Sequence, residues 1–237
     1  MHSVAVSVRR WIACGAGVGA VVIAQLSPLE PASHRWFAAH MIQHLVLMLV
    51  AAPLLVAGRT NVLLLRIAPA EWRPVLLRWG RRSRVWRHPA LVWVLFATAL
   101  WGWHLPGPYD AALRNPWIHL AEHTSFLGTS ILWWAALFGR RRLAHAPAMI
   151  FVFTTMLHAA WLAAVLTFST RVLYPFYATH AASTFGRSVG PLADQQLAGV
   201  LMWIPPGILY VCVIVVLFFQ WFAAVDTRVR RAEAVHP

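Results

Sequence analysis

The 237-residue sequence contains no lysine, only seven acidic residues and only two cysteines. Charged residues make up 11% of the chain, whereas soluble domains carry about a quarter. This shortage of charge argues against a soluble globular domain, and the 60% hydrophobic content argues against a disordered chain. Cys14 and Cys212 lie singly in apolar runs, so neither a disulfide framework nor a thiolate metal site is expected.

All twenty basic residues are arginines, and the net charge is +13. Such a charge favours nucleic-acid binding only where the basic residues share an exposed face. Here they occur in short clusters between apolar stretches, which is typical of a membrane protein. We therefore expect a lipid bilayer and no nucleic acid among the partners.

Six apolar stretches approach or exceed the length of about 20 helical residues that a bilayer requires. They predict an all-α fold, a polytopic transmembrane helical bundle that forms one integral membrane domain over residues 1–237. The predicted spans cover residues 10–28, 36–57, 89–105, 117–139, 147–169 and 194–222. The Pro-Pro-Gly run at 205–207 predicts a kink in the last span.

The arginines also predict the orientation. Sixteen of them precede the first span or lie in the 58–88 loop, at 140–142 or in the C-terminal tail, and four lie on the opposite side. The positive-inside rule then predicts that both termini are cytoplasmic, with 58–88 as a basic cytoplasmic loop and 170–193 as an outer loop. Within 58–88, an amphipathic interfacial helix and a solvated loop are both compatible with the sequence. No small-residue cleavage site follows the first apolar run, so we expect that span to be retained.

Histidines concentrate at the predicted outer ends of three spans. His40 and His44 lie in the first two turns of the second span, His119 and His123 open the fourth, and His104 ends the third. The i, i+4 spacing places each pair on one helix face. Because polar groups at membrane depth are costly, they indicate a functional interior.

Two methionines extend this pattern, since Met48 follows His44 by four residues and Met202 lies in the last span. Imidazole suits copper and zinc, and thioether sulfur favours Cu(I). The pattern therefore predicts an outward-facing copper site, preferably for Cu(I). The predicted metal ligands are His40, His44, His104, His119, His123, Met48 and Met202. Interhelical hydrogen bonds between histidines and plain packing of methionines are the alternative interpretations.

Two other chemistries are compatible with the same residues. A b-type haem could be held between facing histidines, for example His44 and His123. The segment HLAEH (119–123) also matches the H-x-x-E-H pattern of inverted zinc proteases. That short match has low specificity, and nothing in the sequence indicates a peptide-binding groove, so no catalytic residue is predicted.

Three segments resemble the CtaG family of cytochrome c oxidase assembly factors, multi-span bacterial proteins associated with caa-type haem–copper oxidases. The first is HMIQHLVLMLVAAPLLVAG (40–58). The second is WGWHLPGPYDAAL (101–113), followed by HLAEH (119–123) and the Trp pair at 133–134. The third is DQQLAGVLMWIPPG (194–207). Their order and spacing extend the resemblance over about residues 40–210, most of the chain.

The resemblance implies a chaperone-like assembly factor of the respiratory chain, not an enzyme, in a bacterial plasma membrane. Such a protein would deliver or insert copper into the oxidase, with oxidase subunits and a copper donor protein as partners. A haem b electron-transfer protein and a metal-free assembly scaffold are the remaining alternatives.

The resemblance also implies a set of polar positions besides the five histidines. We expect them to support the ligands or the fold. Tyr109 and Asp110 would shape the outer loop, Asp110 could also orient a ligand histidine, and Asp194 could do the same or cap the last span. These positions are Gln43, Tyr109, Asp110, Glu122, Asp194 and Gln195.

Overall fold

The computed structural model describes residues 8–75, 78, 88–139, 142–179, 183–184, 187–188 and 190–235. Within these ranges nearly all regular structure is helical, which confirms the predicted all-α fold. The exception is one short antiparallel pair, β1 (Ser183–Thr184) and β2 (Arg187–Ser188), in which Ser183 lies opposite Ser188.

The helices follow one another with short connections. They are α1 (Val8–Leu26), α2 (Leu29–Ser33), α3 (Phe37–Leu45), α4 (Ala52–Ala57), α5 (Thr60–Ile67), α6 (Pro89–Trp103), α7 (Pro106–Arg114), α8 (Pro116–Phe138), α9 (His145–Phe168), α10 (Pro175–Thr179) and α11 (Pro191–Val235). A π-helical stretch, Val46–Ala51, joins α3 and α4 into a single helical segment. Such stretches are frequent near functional sites, and here the carbonyl oxygen of Met48 accepts a hydrogen bond from Trp134 Nε1 at 2.8 Å.

Local sequence explains where several helices begin. The helices α6, α7, α8 and α11 each start at a proline, whose missing N–H has no helical partner in the first turn anyway. The side chain of Asn115 also caps α8 by accepting the backbone N–H of Trp117 at 2.9 Å. These signals set the start of the helix that carries His119 and His123.

The chain is a membrane protein. Among the described residues, three helical segments are long and apolar enough to cross a bilayer, namely Phe37–Ala57, His145–Phe168 and Pro191–Arg228. The pair α6 and α7, bent by 74°, is a fourth candidate. The helices α1 and α8 contain 19 and 23 residues, a length compatible with crossing, but they are less apolar. The count of six spans and the cytoplasmic termini therefore stay predictions.

The surface and the interior differ in the way expected of a membrane bundle. Large apolar side chains such as Trp161 and Phe219 are 68% and 65% exposed on α9 and α11. By contrast, His40, Gln43 and Glu122 are fully buried. The apolar exterior suits lipid, and the polar groups collect where helices meet.

The segment Phe37–Ala57 is central, because it packs against α1, α8 and α11. The most extensive packing between helices joins α9 to α11. Gly199 allows their close approach, because a Cβ there would lie 2.9 Å from the carbonyl oxygen of Ala163. The last helix runs unbroken through Pro205 and Pro206 and extends past both ends of the predicted 194–222 span.

The two predicted loops contain some regular structure. The helix α5 occupies the start of the 58–88 loop, and most of residues 76–87 lie outside the described residues, so the choice between an amphipathic helix and a solvated loop stays open. The 170–193 loop contains α10 and the β1–β2 pair.

Candidate metal centre

Five histidines from three helical segments meet inside the bundle. His40 and His44 come from α3, His119 and His123 from α8, and His104 directly follows α6. The ring centroids are 4.4 Å apart within the first pair, 4.1 Å within the second and 5.0 Å between His44 and His123. The ring of His104 lies 6.2 Å from that of His44. All five are buried, so the structure brings together every histidine predicted as a ligand.

The tightest part of this cluster contains one carboxylate. His40, His119, Glu122 and His123 each offer a ligand atom within 4.8 Å of the others, and all four are buried. The Glu122 oxygens lie 3.5 Å from His40 Nε2 and 3.6 Å from His44 Nε2. Three imidazoles and a carboxylate suit zinc or copper. Glu122, expected only in a supporting role, thus lies among the potential ligands.

Hydrogen bonds define the free nitrogen of two rings. His123 Nδ1 lies 2.6 Å from Gln25 Oε1, and His104 Nδ1 lies 2.7 Å from the carbonyl oxygen of Leu100. Both partners only accept, so each Nδ1 carries the proton and each Nε2 presents a lone pair. Within the described residues neither Nε2 has a hydrogen-bond partner. A buried lone pair without a donor is costly, and a metal ion is one group that would satisfy it.

A chain of hydrogen bonds determines which nitrogens of His40 and His44 carry the protons. Tyr177 donates its hydroxyl proton to the carbonyl oxygen of Ser33 at 2.7 Å and lies 3.4 Å from His40 Nδ1, which therefore donates to it. His40 Nε2 then accepts from His44 Nε2 at 2.9 Å. Burial raises the pKa of Tyr177 well above its ordinary value of 10.0, so its hydroxyl remains a neutral donor. The remaining lone pair is on His44 Nδ1, which is buried and has no partner in the described structure.

The predicted methionine ligands line a cavity of about 40 Å³ beside the imidazoles. Met48 and Met202 face it together with Met41, and they share it with His44 and His104. That volume is large enough for an ion or a water molecule. The structure therefore divides the predicted ligands between two places. His40, His119 and His123 lie with Glu122 in what we call the inner group. Met48 and Met202 lie in the sulfur-lined cavity, together with His44 and His104.

Asp194 supports the site in an unexpected way. Its carboxylate accepts the backbone N–H of Phe37 at 2.7 Å and that of Ala38 at 3.2 Å. It therefore caps α3, the helix that carries His40 and His44. Among the described residues its side chain bonds neither to its own helix nor to a ligand histidine. This corrects the sequence-based expectation, which could not locate the start of a second helix next to this carboxylate.

The two glutamines hold segments together. Gln43 Nε2 donates to the carbonyl oxygen of Ala24 at 2.8 Å and to Glu30 Oε2 at 2.6 Å, which ties α3 to α1 and α2. Gln195 Oε1 accepts the backbone N–H of Leu173 at 2.7 Å, and its Nε2 donates to the carbonyl oxygen of Arg171 at 3.1 Å. That either residue supports the ligands stays a prediction.

Tyr109 forms one wall of the cluster, with its ring 5.2 Å from that of His40 and 6.2 Å from that of His104. Asp110 does not orient a ligand histidine. Its Oδ1 is buried without a partner among the described residues, and the cluster histidines have the other contacts given above. The expected contact with a histidine is therefore not formed among the described residues: Asp110 follows Tyr109 directly on α7, and neighbouring residues of a helix point in different directions. Its part in shaping the outer loop stays a prediction.

Sequence reasoning missed three polar residues at this site: Gln25, Glu30 and His34. Glu30 Oε1 lies 3.6 Å from His119 Nδ1 and 3.6 Å from His34 Nε2. The i, i+4 spacing of Glu30 and His34, next to the predicted outer end of the first span, is a signal that could have found them. Gln25 offers no comparable signal, because only packing brings it to His123.

Comparisons with known proteins give one family match and three relatives. A family profile described as cytochrome c oxidase caa3 assembly factor (Caa3_CtaG) matches residues 2–224. Uncharacterized proteins of Mycobacterium bovis and Mycobacterium tuberculosis are each 30% identical over 253 residues, which cover 97% of this chain and 36% of the relative. An uncharacterized protein of Mycobacterium leprae is 28% identical over 248 residues, with the same coverage. The chain thus spans 36% of the length of these relatives. No solved structure matches it.

Proposed function

The chain belongs to the cytochrome c oxidase caa3 assembly factor family, and from that membership we propose that it holds copper transiently as cargo for the oxidase. An assembly factor of this kind transfers a component and needs no nucleophile or acid–base pair. We place the protein in a bacterial plasma membrane, with both termini cytoplasmic and the histidine cluster towards the outer side. Its partners in this proposal are oxidase subunits and a copper donor protein.

One observation carries the proposal: buried imidazole nitrogens without hydrogen-bond partners converge from separate helices. In the cluster they are Nε2 of His104, His119 and His123 and Nδ1 of His44; elsewhere among the described residues, Nε2 of His158 on α9 also lacks a partner. The hydrogen bonds assign a lone pair to three of the cluster nitrogens, those of His104, His123 and His44. These lone pairs would destabilise a purely structural core, since buried acceptors are normally satisfied. A bound cation would satisfy several of them at once.

The charge and softness of the ligands favour Cu(I). Glu122 is the carboxylate of the inner group, so a monovalent cation beside it would leave no net charge in the low-dielectric interior. Met48 and Met202 supply thioether sulfur next to the imidazoles, which prefers Cu(I) to Zn²⁺. The inner group can thus hold the ion, and the neighbouring cavity offers it softer sulfur ligands.

The residues of the chain have distinct roles in this proposal. Gln25 keeps the proton of His123 on Nδ1, so that Nε2 can coordinate the ion. His40 Nε2 is occupied by the His44 N–H, so binding at His40 requires the His44 ring to turn away. That exchangeable contact suits cargo, which has to be released as well as bound.

The alternatives fit the geometry less well. The rings of His44 and His123 are 5.0 Å apart and perpendicular, with an interplanar angle of 90°, and this arrangement leaves no space for a porphyrin between them. An intramembrane zinc peptidase would need a peptide bond to reach Glu122, whose side chain is fully buried against His40 and His44. A metal-free assembly scaffold differs from the copper proposal only in metal content.

The decisive experiment is metal analysis with an absorption spectrum. Detergent-purified protein is loaded with Cu(I), washed, and compared with a His44→Ala/His119→Ala double variant. The matched control is His88→Ala, which removes an exposed histidine whose side chain does not cap α6. We expect near-stoichiometric copper in the unaltered protein and in the control, loss of copper in the double variant, and no Soret band.

Other outcomes refute the proposal in recognisable ways. Protein that stays metal-free yet co-purifies with oxidase subunits indicates the scaffold. A Soret band indicates haem. In cells, full copper occupancy of the oxidase in the double variant would also contradict copper delivery through this cluster.

A further inference from the structure

A second group of potential ligands lies on the exposed side of the cluster. Glu30, His34 and His119 each offer a ligand atom within 4.8 Å of the others. Glu30 Oε1 is the centre of this group, since it lies 3.6 Å from His34 Nε2 and 3.6 Å from His119 Nδ1. Apart from His119, these residues are outside the ligand set considered so far. We refer to Glu30, His34 and His119 as the outer triad.

The outer triad is held in place by the fold. Glu30 Oε2 accepts a hydrogen bond from Gln43 Nε2 at 2.6 Å, which orients the carboxylate from the neighbouring helix α3. The ring of His34 meets that of His119 edge-on, with the centroids 5.7 Å apart. The backbone N–H of His34 donates to the carbonyl oxygen of Ala32 at the end of α2. The carboxylate and the two rings are therefore positioned before any ion arrives.

His119 belongs to both groups of ligands. Its Nδ1 lies next to Glu30 in the outer triad, and the same residue joins His40, Glu122 and His123 in the inner group. Its Nε2 is buried and has no hydrogen-bond partner among the described residues. One imidazole thus connects an exposed set of ligands to a buried one.

Exposure falls steadily along this line of residues. The side chain of His34 is 41% exposed and that of Glu30 is 31% exposed, whereas that of His119 is 9% exposed. The side chains of His40 and Glu122 are fully buried. We propose that the outer triad is a loading position, which captures the copper ion at the surface and transfers it to the inner group through His119. This inference rests on the proposed function, because it presumes that the inner group binds copper.

The transfer is a ligand exchange without redox chemistry. The bonds from the ion to Glu30, His34 and His119 Nδ1 break, and bonds to His40, Glu122, His123 and His119 Nε2 form. A neutral imidazole has one lone pair, so the His119 proton moves from Nε2 to Nδ1 during this exchange. The ion keeps its oxidation state throughout. The negative charge of Glu30 attracts cations to the surface position, and such local fields raise association rates more than affinities.

The loading position therefore predicts an effect on rate and not on final occupancy. The test follows transfer from a coloured Cu(I)–chelator complex to detergent-purified protein in a stopped-flow spectrometer. The variants are His34→Ala and Glu30→Gln, the latter keeping an oxygen that can accept the Gln43 amide. His88→Ala again serves as the control, and copper analysis after long incubation gives the final occupancy.

We expect His34→Ala and Glu30→Gln to load about tenfold more slowly than the unaltered protein and to reach the same copper content. The His88→Ala control should load at the unaltered rate. Equal rates in all four proteins would overturn the loading position while leaving the proposed function intact. Loss of final occupancy in His34→Ala would also overturn it, because His34 would then be a ligand of the stored ion. Absence of uptake by the unaltered protein would refute the proposed function itself, and the loading position with it.

Discussion

Replacing Asp194 by alanine tests the cap that holds the His40 and His44 helix. The change leaves the buried N–H groups of Phe37 and Ala38 without their acceptor, which lies 2.7 Å and 3.2 Å away in the native protein. Each unsatisfied buried donor costs about 1–3 kcal/mol, and loss of a helix N-cap costs about 1 kcal/mol on its own. Asp194 is 9% exposed, so replacement water would partly satisfy these groups, and we expect a total loss of about 2–4 kcal/mol.

The assay is thermal unfolding in detergent, followed by circular dichroism. For a chain of this size, 1 kcal/mol corresponds to about 2–4 °C, so Tm should fall by about 5–15 °C. Asp194→Asn keeps one carbonyl oxygen and should lose roughly half as much. The control is Asp226→Ala on the same helix, whose exposed ion pair with Arg230 at 2.9 Å should contribute almost nothing. An unchanged Tm in Asp194→Ala would refute the capping role.

Three further variants test other contacts. Gln25→Leu removes the acceptor of the His123 Nδ1 proton and should weaken copper binding about 10- to 100-fold in chelator competition. Gln25→Glu should restore the affinity, and an unchanged affinity in the leucine variant would contradict this role. Met48→Leu combined with Met202→Leu keeps the volume but removes the sulfur, so Cu(I) retention should fall while Zn²⁺ binding persists; equal loss of both metals would argue against a thioether contribution. Gly199→Ala forces a Cβ against the backbone of α9 and should lower Tm, and an unchanged Tm would mean that the helices separate at no cost.

Much of the fold was predictable because its causes are local. Apolar runs of sufficient length, separated by arginine clusters, indicate helices in a bilayer whatever their neighbours are. The i, i+4 spacing within His40 and His44, and within His119 and His123, likewise places each pair on one helix face. These features require no knowledge of the packing, and the resemblance to a family of assembly factors rests on the same segments. The sequence alone therefore determined an all-α membrane protein with histidine pairs that face the interior of the bundle.

Only the tertiary structure decided which side chains complete the site. The hydrogen bond from His123 to Gln25 joins residues 98 positions apart, and the cap from Asp194 to Phe37 joins residues 157 positions apart. The rotation and depth of each helix relative to its neighbours decide such contacts, and neither is encoded in the pattern of one helix. The same packing placed Met48 in a cavity separate from the Glu122 group and brought Glu122 among the potential ligands. Periodicity shows which face of a helix is polar, but the partner of that face is set by the assembly of the whole bundle.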